Sequence, residues 1–214
     1  MRVVIAGGHG QIARHLERIL VARGDEPVGM VRSSEHVGDL EADGAAAVLL
    51  DLEATSLEEM TEAVRGADAV VFAAGGGGDG NAERKRTVDR DGAILLADAA
   101  QAAGVRRYVM ISSMGQDRAD PESEEVFDIY LLAKKAADED LRARDLDWTI
   151  VKPGALTDDD PTGLVQLDSS ESGEIPRADV AAVVAAALED PASVGKAFNA
   201  LGGKTPVVDA VALL

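Results

Sequence analysis

Short apolar runs, several of them β-branched, alternate along the 214-residue chain with longer stretches in which apolar residues recur every three or four positions. The first pattern suits strands buried on both faces, and the second suits amphipathic helices. Val3-Val-Ile5 opens the series. Gln11–Arg23 follows, with Ile12, Leu16, Ile19 and Leu20 on one helical face and Arg14, Glu17 and Arg18 on the other. Further strands are predicted at Glu26–Val31 and at residues 46–50, 69–73, 107–112 and 147–151. A short helix or turn runs to Asp43. Thr55 then caps a helix with Leu57, Met60 and Val64 inward, ended by Gly66. A long helix over 82–103 stops at Gly104, and another spans about 125–144. Strand and helix in alternation predict an α/β fold with a doubly wound parallel sheet, its sixth strand closing the sheet.

The remainder is less regular. Lys152-Pro-Gly154 breaks the sixth strand, and residues 156–175 read as a loop with a small hairpin. An Ala/Val-rich helix over 178–189, a last strand over 196–201 and a terminal helix over 207–214 complete the chain. The 156–175 loop is too long for a connector and is the candidate substrate lid. The length predicts a single domain over 1–214, to which 152–214 contributes a small C-terminal substrate-binding cap.

Composition narrows the function. A formal charge of −18 argues against nucleic-acid binding, which needs clustered Lys and Arg. The acidic, Arg-over-Lys composition fits salt adaptation or a GC-rich genome equally. There is no cysteine, no apolar run of membrane-spanning length and no basic leader before the first strand, so a cytoplasmic protein without membrane contact is expected. His9, His15 and His36 are scattered, and Asp158-Asp-Asp160 reads as a solvated loop, so no metal is expected. A monomer or homodimer fits equally.

The turn after the first strand carries the first chemistry. Gly8-His-Gly10-Gln-Ile-Ala13 matches G-x-G-x-x-G/A, and Gly7-Gly-His-Gly10-Gln-Ile-Ala13 equally reads as G-x-x-G-x-x-A. Either register lets backbone N–H groups approach a diphosphate at a helix N-terminus. Where an NAD-binding chain carries an acid after the second strand, this one has Arg32, Ser33 and Ser34. A guanidinium there suits the 2′-phosphate of NADP, with NAD the alternative. Asp51 is placed either to accept from an adenine amino group or to cap a turn.

Tyr130-Leu-Leu-Ala-Lys134 puts a phenol and an ammonium four residues apart on one helical face. Reducing a carbonyl leaves an alkoxide that needs a proton; a tyrosine donates one, and a nearby cation lowers the phenol's pKa. Ser112 and Ser113, leaving the fifth strand, are placed to polarise the carbonyl. The competing assignment is a tyrosine packed at a helix edge beside a solvated lysine.

These stretches together resemble the short-chain dehydrogenase/reductase superfamily, in its atypical, NmrA-like members related to NAD-dependent epimerases and dehydratases. The residues that carry the resemblance are Gly7–Ala13 with Asp51-Leu52, Val71-Phe-Ala-Ala-Gly75, Val109-Met-Ile-Ser-Ser113, Tyr130-x-x-x-Lys134 and Lys152-Pro-Gly154. The resemblance implies a Rossmann fold and NADP or NAD as cofactor. It assigns Ser113 as catalytic serine, Tyr130 as acid/base and Lys134 as ribose-binding lysine, with Asp89 standing where the family has a catalytic asparagine. It also implies cofactor contacts from Gly7, Gly8, His9, Gly10, Gln11 and Ile12, from Arg32, Ser33, Asp51 and Leu52, and from Ala73, Ala74, Gly75 and Pro153. An NADP-dependent oxidoreductase acting on a small carbonyl is the leading expectation. The alternatives are a non-catalytic sensor of the cofactor's redox state and a flavin- or quinone-reductase-like enzyme. The short C-terminal segment argues against epimerisation of a nucleotide-sugar.

Overall fold

The alternation becomes one nine-stranded sheet in a computed structural model that describes residues 1–77 and 80–214. In chain order the first half comprises β1 (Arg2–Ala6), α1 (Gln11–Arg23), β2 (Glu26–Val31), α2 (Val37–Ala42), β3 (Ala46–Leu49), α3 (Leu57–Val64) and β4 (Ala69–Phe72). The expected long helix follows in three parts: α4 (Ala82–Arg84), a π-helical segment (Lys85–Gly92) and α5 (Ala93–Ala103). Next come β5 (Arg107–Ile111), α6 (Val126–Arg142), β6 (Asp147–Pro153), β7 (Ala155–Thr157), β8 (Leu164–Leu167) and β9 (Glu174–Pro176). The chain ends with α7 (Arg177–Glu189), β10 (Lys196–Gly202), β11 (Thr205–Pro206) and α8 (Val207–Ala212).

The spatial order is β3-β2-β1-β4-β5-β6-β10-β8-β11, parallel from β3 through β10. Successive residues of the central strands feed opposite cores. Val3, Ile5, Val71 and Val109 pack with α1, α7 and α8 on one face, and Val4, Ala6, Phe72, Tyr108 and Met110 pack with α3, α5 and α6 on the other. All nine side chains are buried, which explains why these strands read as continuous apolar runs. The strand order reverses between β1 and β4, and the cleft at a reversal is where open α/β sheets take ligands.

Several expectations are corrected. The cap of α3 is Ser56, not Thr55: its hydroxyl accepts from the Glu59 N–H at 3.2 Å while the Glu59 carboxylate accepts from the Ser56 N–H at 2.9 Å. That register leaves Leu57 outside, 45% exposed. The sheet does not close at β6, because β10 pairs with it in parallel and β8 extends the sheet antiparallel. Nor do residues 156–175 form a free lid. Val165 is fully buried in the sheet, and β7 pairs with β9 in a separate two-stranded ribbon. Buried Asp179, at the start of α7, ties the preceding turn down by accepting from the N–H groups of Thr162 (3.0 Å) and Gly163 (2.9 Å). Within 152–214, the β7–β9 ribbon stands off the main sheet, whereas β8, β10 and β11 lengthen it. Among the described residues no helix is long and apolar enough to cross a membrane.

Candidate functional site

The glycine turn is built by steric exclusion. Gly7 has φ +82°, and a Cβ on it would lie 2.6 Å from the Ala74 Cα. A Cβ on Gly8 would lie 2.6 Å from the Gly29 Cα, so Gly8 sets how closely the turn packs on β2. Gly10 precedes α1 in extended conformation; no side chain caps the helix and no acid stands in its first turn. The opening amides of α1 therefore face an anion without competition. A dinucleotide diphosphate fits this cradle.

From the turn a cavity of about 390 Å³ runs across the reversal point. Of the expected cofactor residues, Gly7, His9, Gly10, Arg32, Asp51, Leu52, Ala73, Ala74 and Gly75 line it. Gly8, Gln11, Ile12, Ser33, Lys134 and Pro153 do not. Ile12 packs on the α1-side core, Gln11 donates to Asp158 at 3.3 Å, and Ser33 accepts from the Glu35 N–H at 3.3 Å. Asp51 lines the cavity and also caps its own turn, accepting from the Glu53 N–H at 3.0 Å. The sequence reading missed Met30, Val31, His36, Leu50, Glu53, Gly77, Arg84 and Val88 in the wall. Glu53 accepts from Thr87 at 2.6 Å and pairs with Arg84 at 3.1 Å; the Thr87 hydrogen bond first, and then Arg84, hold its carboxyl below the usual range against the opposing effect of burial.

The histidines are not all scattered. His9 and His36 stack with ring centroids 3.7 Å apart, and His9 Nε2 lies 2.7 Å from Asp39 Oδ2. Residues separated along the chain meet here because α2 folds back over the end of β2. Among the described residues no cluster has the makings of a metal site.

The Tyr-Lys pair stands outside the cavity lining, behind Ala74 in its wall. Lys134 is buried, with Nζ 3.1 Å from Asp89 Oδ1 and donating to the carbonyls of Ile111 (3.2 Å) and Ala74 (3.4 Å). Burial opposes its charge, but the attraction of Asp89 and its neighbours prevails and holds the ammonium above the ordinary lysine value. Asp89 is fully buried, and its Oδ2 accepts from the Gly76 N–H at 2.8 Å. Ion pair and carbonyls thus join α6 and the π-helical segment to the loop that lines the cavity. Lys134 Nζ lies 5.9 Å from the Tyr130 ring centre. Lys85, which the sequence reading did not single out, puts its Nζ 5.5 Å from the same ring.

The two serines differ. Ser112 is buried and accepts from Gln116 Nε2 at 2.8 Å; the same amide nitrogen donates to Asp138 at 2.9 Å. Lys152 closes this network with 2.9 Å contacts to Gln116 Oε1 and Asp138 Oδ2. Ser112 is therefore consumed inside the fold. Ser113 is half-buried and donates only to the neighbouring Met114 carbonyl, at 3.1 Å.

Behind the glycine turn stands Glu17, fully buried, with neither carboxylate oxygen hydrogen-bonded. A Cβ on Gly8 would come within 3.1 Å of its Oε1, and one on Gly29 within 2.6 Å. Burial first, and then repulsion from Asp43, pushes its pKa up to about 8 against the pull of Arg14 and Arg18.

Comparison with known proteins agrees with this geometry. Residues 7–191 match the model of a family described as NAD(P)H-binding. The chain is 38% identical over 213 residues to the uncharacterized sugar epimerase YhfK of Bacillus subtilis (strain 168), covering 99% of each chain. Among solved structures, a candidate NAD-dependent epimerase/dehydratase from Bacillus halodurans superposes with a TM-score of 0.93 at 38% identity, covering all of both chains. The oxidoreductase ylbE from Lactococcus lactis gives 0.87 at 30% identity, over 100% of this chain and 96% of that one. The chain therefore belongs to the NAD(P)H-binding family, within the atypical short-chain dehydrogenase/reductase superfamily.

Proposed function

We propose that the protein is an NADP-dependent oxidoreductase that reduces a carbonyl on a small molecule. The observation that carries this reading is the meeting of Tyr130, Lys134 and Asp89 directly behind the Ala74–Gly76 stretch of the cavity wall, where Lys134 donates to the Ala74 carbonyl and Asp89 accepts from the Gly76 N–H. Bound in that cleft, the reduced nicotinamide supplies a hydride to the carbonyl carbon. Tyr130 gives the proton to the oxygen, and Ser113 orients the carbonyl by donating its hydroxyl hydrogen. Lys134 serves as a fixed positive charge beside the phenol and reaches a ribose hydroxyl by giving up its longest contact, the 3.4 Å one to the Ala74 carbonyl; Asp89 positions it. Asp89 takes the place of the family's asparagine by direct ion pairing at 3.1 Å.

The preference for NADP rests on Arg32. It lines the cavity at the end of β2, exposed, with no carboxylate within ion-pairing distance among the described residues. The exchange of Arg32 for Ala is expected to weaken NADPH binding about 10- to 100-fold, the loss of a charge-assisted contact, and to leave NADH binding unchanged.

NADPH oxidation against a panel of carbonyls, quinones and flavins tests the whole reading. Tyr130→Phe is expected to lower kcat by roughly 10²–10⁴ with NADPH affinity intact. Quinone or flavin turnover that survives the substitution would assign acceptors that need no tyrosine. Tight NADPH binding without any turnover would assign a sensor.

A further inference from the structure

Three lysines, Lys85, Lys134 and Lys152, are wholly or largely withdrawn from solvent, and two of them are neutralised. Lys134 has Asp89 at 3.1 Å, and Lys152 has Asp138 at 2.9 Å. Lys85 has no carboxylate within ion-pairing distance among the described residues. Its Nζ donates to the Gly77 carbonyl and lies 5.5 Å from the Tyr130 ring centre, although the residue is only 8% exposed. In a chain with 39 acidic residues against 21 basic ones, a buried ammonium with no counter-charge among the described residues is not a consequence of scarcity.

Neighbouring charges are already committed. Arg86 pairs with Glu83 at 3.4 Å, and Arg84 pairs with Glu53 at 3.1 Å. A neutral carbonyl and an aromatic face satisfy an ammonium's hydrogen bonds only in part, and burying the charge is costly until an anion joins it. The π-helical segment explains the placement, since it directs both Lys85 and Asp89, four residues apart, into buried positions. Beside Tyr130 the chain also exposes a large apolar side chain. Phe127 is 67% exposed, and its ring centre lies 6.1 Å from that of Tyr130.

We infer that Lys85 is the anchor for an anionic group on the substrate, which is a carbonyl compound with a carboxylate at one end and an apolar, ring-sized body that lies on Phe127. The inference rests on the oxidoreductase reading for the carbonyl, but the anion site stands on its own geometry.

Calorimetric titration of phenylglyoxylate and of its amide into the protein saturated with NADP⁺ tests it. Wild type is expected to bind the acid at least tenfold more tightly than the amide. Lys85→Gln removes that preference with amide and NADP⁺ binding unchanged, Lys85→Arg retains it, and Phe127→Ala weakens both probes alike. Equal binding of the two probes by wild type overturns the inference without need of any variant, as does a preference that persists in Lys85→Gln. The two readings fail separately. If no carbonyl is reduced while the acid preference holds, the oxidoreductase falls and the anion site stands. If neutral carbonyls are turned over with no acid preference, the reverse is true.

Discussion

Glu17 and Asp89 are both fully buried carboxylates crowded against glycines, Gly8 and Gly29 for the one and Gly75 and Gly76 for the other, yet they sit in opposite electrical settings. Asp89 has the Lys134 ammonium at 3.1 Å and the Gly76 N–H at 2.8 Å. Glu17 has no hydrogen-bond partner and is pushed up to about 8 by burial, with Asp43 adding to the shift. Burial alone therefore does not decide what a carboxylate does. The partner decides: one acid holds the Lys134 ammonium, and the other stays protonated at neutral pH behind the glycine turn.

The largest effect expected from this contrast is a pH dependence of stability. Between pH 4.5 and about 8 the folded protein holds a proton on Glu17 that the unfolded chain has lost, so raising the pH favours unfolding. The contribution is fully present below pH 4.5 and fades as pH rises through about 8, a loss on the order of 5 kcal/mol across that window. Carboxyls held low, such as Asp25 and Asp43, are already ionised over most of the window and do not mask the trend. Urea denaturation at pH 5, 6.5 and 8 should show the decline in wild type and a flat profile in Glu17→Gln. A flat wild type would break the comparison.

Asp89→Leu should come next, costing about 3–5 kcal/mol at pH 7 because it leaves the Lys134 ammonium buried and unpaired. The double substitution Asp89→Leu/Lys134→Met should recover much of that stability in the same denaturation assay, while carbonyl reduction stays lost. A double variant no more stable than the single one would show that the ion pair is not the source of the loss. The smallest effect belongs to a partnered group in water. Ser56→Ala removes one half of the capping box on α3 and is expected to cost about 1 kcal/mol, read as a lowered urea midpoint.

Much of the frame was legible because its signals are local. Val3–Ile5, the glycines after them and the apolar stripe of α1 are neighbours in sequence, and hydrophobic period and turn sterics place them without reference to the rest. Tyr130 and Lys134 were legible for the same reason, being one helical turn apart. The boundary at Thr55/Ser56 was misread because both residue types cap, and only the position of Glu59 chooses between them. The supposed lid at 156–175 was misread because β8 is a short strand at the far side of the sheet, whose partner β10 comes more than twenty residues later.

The sequence by itself determined the alternating elements, the glycine turn and the Tyr130–Lys134 spacing, since each depends on spacings within a few residues. The tertiary structure decided which groups meet. It stacked His9 on His36, joined Asp89 to Lys134, spent Ser112 on Gln116 while leaving Ser113 half-buried with only the Met114 carbonyl, and among the described residues gave Lys85 no carboxylate. The physical reason is that charge and hydrogen-bond pairing act through space over a few ångströms, and neither hydrophobic period nor local spacing specifies which distant side chain will fill that distance.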